Sequence, residues 1–123
     1  MIELTGKVIK GEKYGRKLGF PTANLDRREY NHKKLKIRLG VWSGTAKLST
    51  WGKIYRAAIV IGPLDNRRLP KLEAHLINFK GTLYGKKLTI NLIKYLRPFK
   101  KFKNEQQLKL QIQKDIKLIK PLT

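Results

Sequence analysis

The stretch Leu88-Thr89-Ile90-Asn91-Leu92-Ile93-Lys94-Tyr95 identifies the fold class of this chain, because its side chains alternate in character along an extended backbone. Leu88, Ile90 and Leu92 fall on one side, as they do in a strand that buries one face. Four earlier runs have the same β-type composition and are separated by turn residues. They lie at positions 7–10, 41–48, 54–61 and 72–79.

No helical pattern lies between these runs, so the strands follow one another through short loops. In the run 41–48, the alternate positions predicted to face inward are Trp42, Gly44, Ala46 and Leu48. Successive strands of this kind indicate an antiparallel sheet. Closing that sheet into a barrel would remove its exposed edges.

Helical periodicity is confined to the C-terminal segment. Asn104 is a good N-cap residue, and Gln107 completes a pair that resembles a capping box. Apolar residues then recur at helical spacing until Pro121, at Leu108, Ile112, Ile116 and Ile119. The sequence thus predicts a mainly β protein, a small barrel with one amphipathic helix packed on it. Residues 25–39 are polar and irregular, and we expect a long loop there.

Length and composition predict one domain over residues 1–123, with 41% hydrophobic residues to form its core. The chain has no cysteine, which excludes disulfides, thiolate metal sites and a cysteine nucleophile. The longest apolar, uncharged stretch, residues 57–64, is far too short for a membrane span. The N-terminus does not resemble a signal peptide. We therefore expect a soluble, cytoplasmic monomer that does not bind membranes.

The formal net charge is +21, from 29 Lys and Arg against 8 Asp and Glu. Such a surface attracts polyanions, and nucleic acid is the first partner to consider. The basic residues are spread along the whole chain, however, so a biased genome composition explains them as well as a binding surface does. Nucleic acid is therefore expected only as a non-specific partner.

Two segments could carry chemistry. The first, Gly-Glu-Lys-Tyr-Gly-Arg-Lys-Leu-Gly-Phe-Pro-Thr-Ala-Asn at 11–24, has glycines whose backbone amides could approach phosphates closely. Thr22 and Asn24 are neutral oxygen donors on one side of an extended chain. An ordinary Gly-rich turn that leads into an edge strand explains the same residues. The related stretch 81–87 lacks the spacing of a P-loop, and we interpret it as a hairpin turn.

The second segment contains Glu73, the one carboxylate of eight that lies inside an apolar strand. Alternation places it on the same face as His75, Ile77 and Phe79. A surface glutamate on the solvent face is the simpler interpretation of this residue taken alone.

Taken together, these segments resemble the riboflavin kinase family over nearly the whole length. The resemblance rests on six ordered segments: the loop 11–24 with its Gly-Phe-Pro-Thr-Ala-Asn core, Gly40-Val41-Trp42, Ile61-Gly62-Pro63, Glu73-Ala74-His75-Leu76, Leu83-Tyr84-Gly85-Lys86 and Leu96-Arg97-Pro98-Phe99-Lys100-Lys101-Phe102. It implies a six-stranded antiparallel Greek-key β-barrel with a C-terminal α-helix. It also implies ATP-dependent phosphorylation of the riboflavin 5′-hydroxyl to give FMN and ADP.

The resemblance further implies roles for individual residues. Glu73 would be the catalytic base, and Thr22 and Asn24 would hold Mg²⁺. The positions that match the family's ATP contacts are Gly11, Arg16, Leu76 and Tyr84. Those that match its flavin contacts are Arg97, Lys100 and Phe102.

The sequence also departs from the family pattern. Many relatives have Pro-Thr-Phe after the Ile-Gly motif, where this chain has the short basic stretch 62–68, Gly-Pro-Leu-Asp-Asn-Arg-Arg. We find no His-x-Gly-His motif and expect no FMN adenylyltransferase domain, so FAD would be made by another protein. Two alternatives remain: a basic barrel that binds single-stranded nucleic acid by stacking bases on Trp42, Trp51, Tyr55 or Tyr84, and a relative that binds flavin without activity.

Overall fold

Six strands close into an antiparallel barrel in a computed structural model of the chain, which describes residues 2–9, 22–32, 36–48 and 52–119. The elements in chain order are β1 (Ile2–Ile9), β2 (Ala23–Leu25), α1 (Arg28–His32), β3 (Gly40–Lys47), β4 (Ile54–Leu64), β5 (Pro70–Leu76), β6 (Lys87–Arg97) and α2 (Glu105–Leu118). Around the barrel the strands follow the order β1-β2-β5-β4-β3-β6.

This order confirms the predicted barrel. Strands β3, β4 and β5 are consecutive neighbours, and β6 returns by a longer connection to pair with β3. Three neighbouring strands followed by a fourth that returns beside the first form a Greek key. All of the pairs are antiparallel, and β1 closes the barrel by pairing with both β6 and β2.

Alternation along the strands fills the barrel interior with aliphatic side chains. The β6 residues Leu88, Ile90 and Leu92 are at most 1% exposed, as the opening stretch of the sequence predicts. Fully burying an aliphatic side chain of this size is worth about 1.5–3 kcal/mol, so these positions are a main source of stability. Leu4, Ile59 and Ile61 pack with them in the same core.

Gly44 shows why β3 needs a glycine in its middle. A Cβ atom at this position would overlap the backbone carbonyl oxygen of Asn91 in β6 and lie 2.7 Å from the Cδ1 atom of Ile59. The close approach occurs beside a register shift in the β3–β6 pairing, between Ser43 and Gly44. The glycine therefore allows β6 to approach β3 where the ladder is irregular.

Helix α2 begins as the sequence predicts, because the Asn104 side chain accepts a hydrogen bond from Gln107 N at 2.9 Å. The helix packs on the outside of the barrel through a second apolar cluster. Its residues are Ala58, Ile77 and Ile119, with Leu96 and Ile116 packed against them. Arg56 fixes the end of the helix by donating from Nη1 to the Ile119 carbonyl at 3.0 Å.

Two sequence-based expectations are wrong. Residues 25–39 are not one long loop, because residue 25 ends β2 and residues 28–32 form α1, whose Glu29 accepts a hydrogen bond from Thr5 N at 3.2 Å. The stretch 81–87 is a turn, with Lys86 N donating to Leu83 O at 3.0 Å, but it does not form a hairpin. It connects β5 to β6, and these two strands are not neighbours in the barrel.

Candidate active site

The amide of Asn24 and the carboxylate of Glu73 lie beside each other on the outer face of the barrel. The register of β2 and β5 pairs Asn24 directly with Glu73, and Ala23 with Ala74. The two alanines are 6% and 1% exposed and point into the core. Directly opposed residues of an antiparallel pair share a face, with Cβ atoms about 4.5–5.5 Å apart. Asn24 and Glu73 therefore point outward together, which a single strand's pattern could not establish.

Thr22 lies on the same side as this pair. It immediately precedes β2 and is half-buried, two residues before Asn24. One step further along the same register, β5 carries His75. A hydroxyl, an amide and a carboxylate thus come together on one face, as the sequence predicts, although the role of each remains a prediction.

A transverse row of outward-facing residues connects Glu73 to Arg97. Glu73 pairs with Val60 of β4, Val60 with Val41 of β3, and Val41 with Arg97 of β6. With neighbouring strands about 4.8 Å apart, three steps place the backbones of Glu73 and Arg97 roughly 14 Å from each other. The row therefore joins the predicted catalytic residue to the predicted flavin contacts across four strands.

Arg97 is held by Asp115 of α2. Its Nε donates to Oδ1 of Asp115 at 2.9 Å and its Nη2 to Oδ2 at 2.8 Å, which is a two-point contact between guanidinium and carboxylate. The two side chains are only 14% and 5% exposed. The pair therefore stabilises a buried charge and fixes the guanidinium in one orientation.

The same network reaches Lys100. Gln111 donates from Nε2 to Oδ1 of Asp115 at 3.1 Å and accepts from Nζ of Lys100 at 3.3 Å. Two of the three predicted flavin contacts, Arg97 and Lys100, are thus connected through α2. The sequence analysis missed Asp115, although helical spacing from Ile112, Ile116 and Ile119 would have placed it on the buried side of α2.

The other predicted site residues occupy varied positions. Leu76 is 5% exposed and belongs to the barrel core, so its side chain faces away from Glu73. Tyr84 is 58% exposed in the turn after β5, next to Gly85, whose φ of +81° favours glycine. Phe102 is half-buried before α2. Gly11 and Arg16 lie outside the described residues.

Asp65 organises the short basic stretch that departs from the family pattern. Its Oδ1 accepts hydrogen bonds from Arg67 N at 2.8 Å and Leu69 N at 3.1 Å, and its Oδ2 accepts one from Arg27. The Leu69 N–H, and after it the Arg27 guanidinium, lower the pKa of Asp65 to about 2. Because Arg27 follows β2 by two residues, this loop is connected to the strand that carries Asn24.

Two clefts lie on other parts of the surface. One of about 620 Å³ lies over β1, β3 and β6, and its lining includes Thr5, Lys47 and Thr89. Another, of about 470 Å³, is lined by α1 and the stretch 64–70, among other residues. Neither includes Asn24 or Glu73, so the candidate site is identified by register and chemistry and not by concavity.

The aromatic side chains proposed for base stacking are mostly used in packing. Trp42 packs against the core, and its indole nitrogen donates to the Arg38 carbonyl at 3.0 Å. Tyr55 also packs against the core, edge-to-face with Phe79. Trp51 lies outside the described residues. Neither of the helices in the described part of the chain has the length and apolar character needed to cross a membrane.

Comparison with known proteins gives a consistent family. The whole chain, residues 1–123, matches the family described as "Flavokinase: Riboflavin kinase". It is 35% identical over 122 residues to a bifunctional riboflavin kinase/FMN adenylyltransferase of Buchnera aphidicola, covering 95% of this chain and 37% of that protein. It is 32% identical to the riboflavin kinase of Homo sapiens, covering 90% of this chain and 74% of that protein.

Among solved structures, the barrel is similar to part of a Streptococcus pneumoniae protein titled a macrolide-efflux protein. The TM-score is 0.82 at 24% identity, over 98% of this chain and 39% of that one. This likeness shows the fold alone. The chain spans little more than a third of the Buchnera relative and about three quarters of the human one.

Proposed function

Because the chain belongs to the riboflavin kinase family, we propose that it phosphorylates riboflavin on its 5′-hydroxyl with ATP, giving FMN and ADP. The observation that carries this proposal is the direct pairing of Asn24 with Glu73 on the outer face of β2 and β5. Phosphoryl transfer depends mainly on alignment and charge neutralisation. A carboxylate beside two neutral oxygen donors provides residues for both tasks.

Glu73 acts as the general base in this proposal. An alcohol is a poor nucleophile, and a carboxylate within hydrogen-bond reach of the 5′-hydroxyl accepts its proton as the bond to phosphorus forms. Glu73 is half-buried, between Asn24 and Val60 on the neighbouring strands. Two flanking strands therefore restrict where its carboxylate can lie.

The donors at Thr22 and Asn24 fit Mg²⁺. This ion prefers oxygen ligands in octahedral geometry and usually keeps waters and phosphate oxygens in its shell. A hydroxyl and an amide oxygen on one face supply such ligands without adding charge, so the ATP phosphates would provide the negative charge. When bound, Mg²⁺ would neutralise charge on the transferred phosphoryl group.

The two substrates would approach this face from different sides. Gly11, Arg16, Leu76 and Tyr84 are the proposed ATP contacts. Leu76 has its side chain in the core, and so it would contact the nucleotide through its backbone. Arg97, Lys100 and Phe102 would bind the flavin at the other end of the transverse row, where Asp115 and Gln111 hold the two cations.

Incubation with riboflavin and MgATP tests the proposal, with FMN detected by chromatography. We expect FMN that depends on both ATP and the divalent cation. Binding of riboflavin without FMN would identify a flavin-binding relative without activity. Binding of RNA with neither riboflavin binding nor FMN would support the alternative of a nucleic-acid-binding barrel.

A further inference from the structure

The acidic residues of this protein do little to neutralise its surface lysines. Asp115 is 3% exposed and paired with Arg97. Asp65 is paired with Arg27, and Asp26 with Arg28 at 3.3 Å. In each case the partner is an arginine. With 29 basic residues against 8 acidic ones, the exposed lysines keep most of their field.

Helix α2 concentrates several of these lysines on one side. Lys109, Lys114 and Lys117 are all exposed, and helical spacing places them on the side of α2 opposite Asp115 and Ile119, which are buried against the barrel. These three residues are called the lysine face. Within the described part of the chain, none of them forms a recorded ion pair.

We propose that the lysine face binds the phosphate backbone of single-stranded RNA. The lysines extend over about 12 Å of helix, from Lys109 to Lys117, and are interspersed with neutral glutamines at positions 106 and 113. Such a row can follow a phosphodiester chain and release its counterions, which is the main source of non-specific affinity. The proposal concerns a surface separate from Asn24 and Glu73, so it is independent of kinase activity.

An anionic membrane is the other polyanion to consider, and the helix does not suit it. Amphipathic helices bind bilayers by inserting a continuous apolar face. The apolar side of α2 already packs on the barrel through Ile116 and Ile119. Only Leu110 and Leu118 are exposed large hydrophobic residues on this helix, eight positions apart.

The lysine face should bind RNA without base preference. Base stacking requires exposed aromatic side chains, and residues 105–118 contain none. Affinity should therefore come from charge alone. Oligomers of the same length but different base composition should bind equally well at a given salt concentration.

The test compares two triple variants of the full chain that lose the same charge. One is K109Q/K114Q/K117Q. The matched control, K7Q/K47Q/K87Q, removes three lysines from the outer face of β1, β3 and β6. Binding to a labelled RNA of about 16 nucleotides is measured between about 50 and 200 mM salt. Circular dichroism and thermal unfolding confirm that both variants fold.

We expect the logarithm of the association constant to fall linearly with the logarithm of salt concentration for the unmodified protein. Each lost phosphate contact lowers the steepness by about 0.7, so the α2 variant should lose about 2 from the slope. The control should keep nearly the full slope. An equal loss in both variants, no RNA binding by the unmodified chain, or binding to anionic vesicles but not RNA would each overturn the proposal.

Discussion

Glu73 owes its position to the register of two strands and not to any local motif. It lies directly opposite Asn24, a residue 49 positions earlier, because Ala23 and Ala74 of the same two strands are buried in the core. A shift of one residue in this register would turn every side chain of β2 to the other face. The packing of two small core residues thus determines whether the amide and the carboxylate meet.

Replacing Glu73 with glutamine should lower kcat by at least about 10²-fold, the low end for loss of a general base. The amide keeps the shape of the side chain but cannot accept the proton, so both substrates should still bind. Steady-state kinetics and flavin fluorescence measure the two effects separately. Glu3→Gln, on the exposed side of β1, serves as the control, and near-normal turnover of Glu73→Gln would refute the base assignment.

Gly44→Ala should destabilise the fold, because the added methyl group would overlap the Asn91 carbonyl in β6. Overpacking of this kind costs about 1–3 kcal/mol. Urea unfolding followed by tryptophan fluorescence measures it. Ser43→Ala, on the neighbouring outward-facing position, should change stability by less than about 0.5 kcal/mol. Equal stability of the two variants would contradict the close approach of β3 and β6.

At the scale of the elements, α2 is attached to the barrel by an apolar cluster and one buried ion pair. The pair joins β6 to α2 and orients Arg97, which also lies at the end of the transverse row. Sequence periodicity predicted the helix and its Asn104 cap, because both depend on residues close together in the chain. It did not predict the pairing of Arg97 with Asp115, which depends on how the helix docks.

Asp115→Asn should destabilise the protein by about 3–5 kcal/mol, because it leaves the buried guanidinium of Arg97 without a counter-charge. The double variant Arg97→Met/Asp115→Leu removes both charges and should recover much of this loss. Equilibrium unfolding in urea distinguishes the two. If the single and double variants were equally unstable, the ion pair would not be the cause.

The loop that follows β4 should make stability depend on acid. The hydrogen bond from Leu69 N and the Arg27 guanidinium lower the pKa of Asp65 from its ordinary 3.8 to about 2 in the folded protein. The ionised carboxylate therefore stabilises the folded state above about pH 4. This contribution disappears as the pH falls toward 2.

Asp65→Asn should flatten the dependence of the unfolding midpoint on pH between 4 and 2. Arg27→Met should flatten it only in part, since the backbone hydrogen bonds to the carboxylate remain. Thermal unfolding across this pH range measures both variants. An unchanged pH profile for Asp65→Asn would show that its carboxylate does not contribute to acid stability.

At the scale of the whole molecule, the sequence predicts more of the architecture than of the connections. Alternating residues such as Leu88, Ile90 and Leu92 predicted strands, since alternation is a local property. The three-residue strand β2 and the five-residue α1 were missed because they are too short for a period to show. The crossing from β5 to β6 was taken for a hairpin, since strand order depends on contacts between distant segments.

Mg²⁺ alone should bind weakly, because Thr22 and Asn24 bring no charge to the proposed site. We expect calorimetric titration of the protein with Mg²⁺ to show little heat, and a large increase in affinity when ATP is present. Thermal unfolding should follow the same pattern, since a ligand stabilises the state that it binds. Tight binding of Mg²⁺ without nucleotide would argue against these two ligands.

The closure of the barrel depends on β2, its shortest strand, which pairs with β1 only at Val8–Leu25 and Ile9–Asn24 and with β5 only at Ala23–Ala74 and Asn24–Glu73. Strands β3 and β4, by contrast, pair over the full length of β3. Amide protons along β2 should therefore exchange with deuterium sooner than those of β3. Because Asn24 belongs to this seam, substrates held there would slow that exchange, and ligand binding would become coupled to local opening of the barrel.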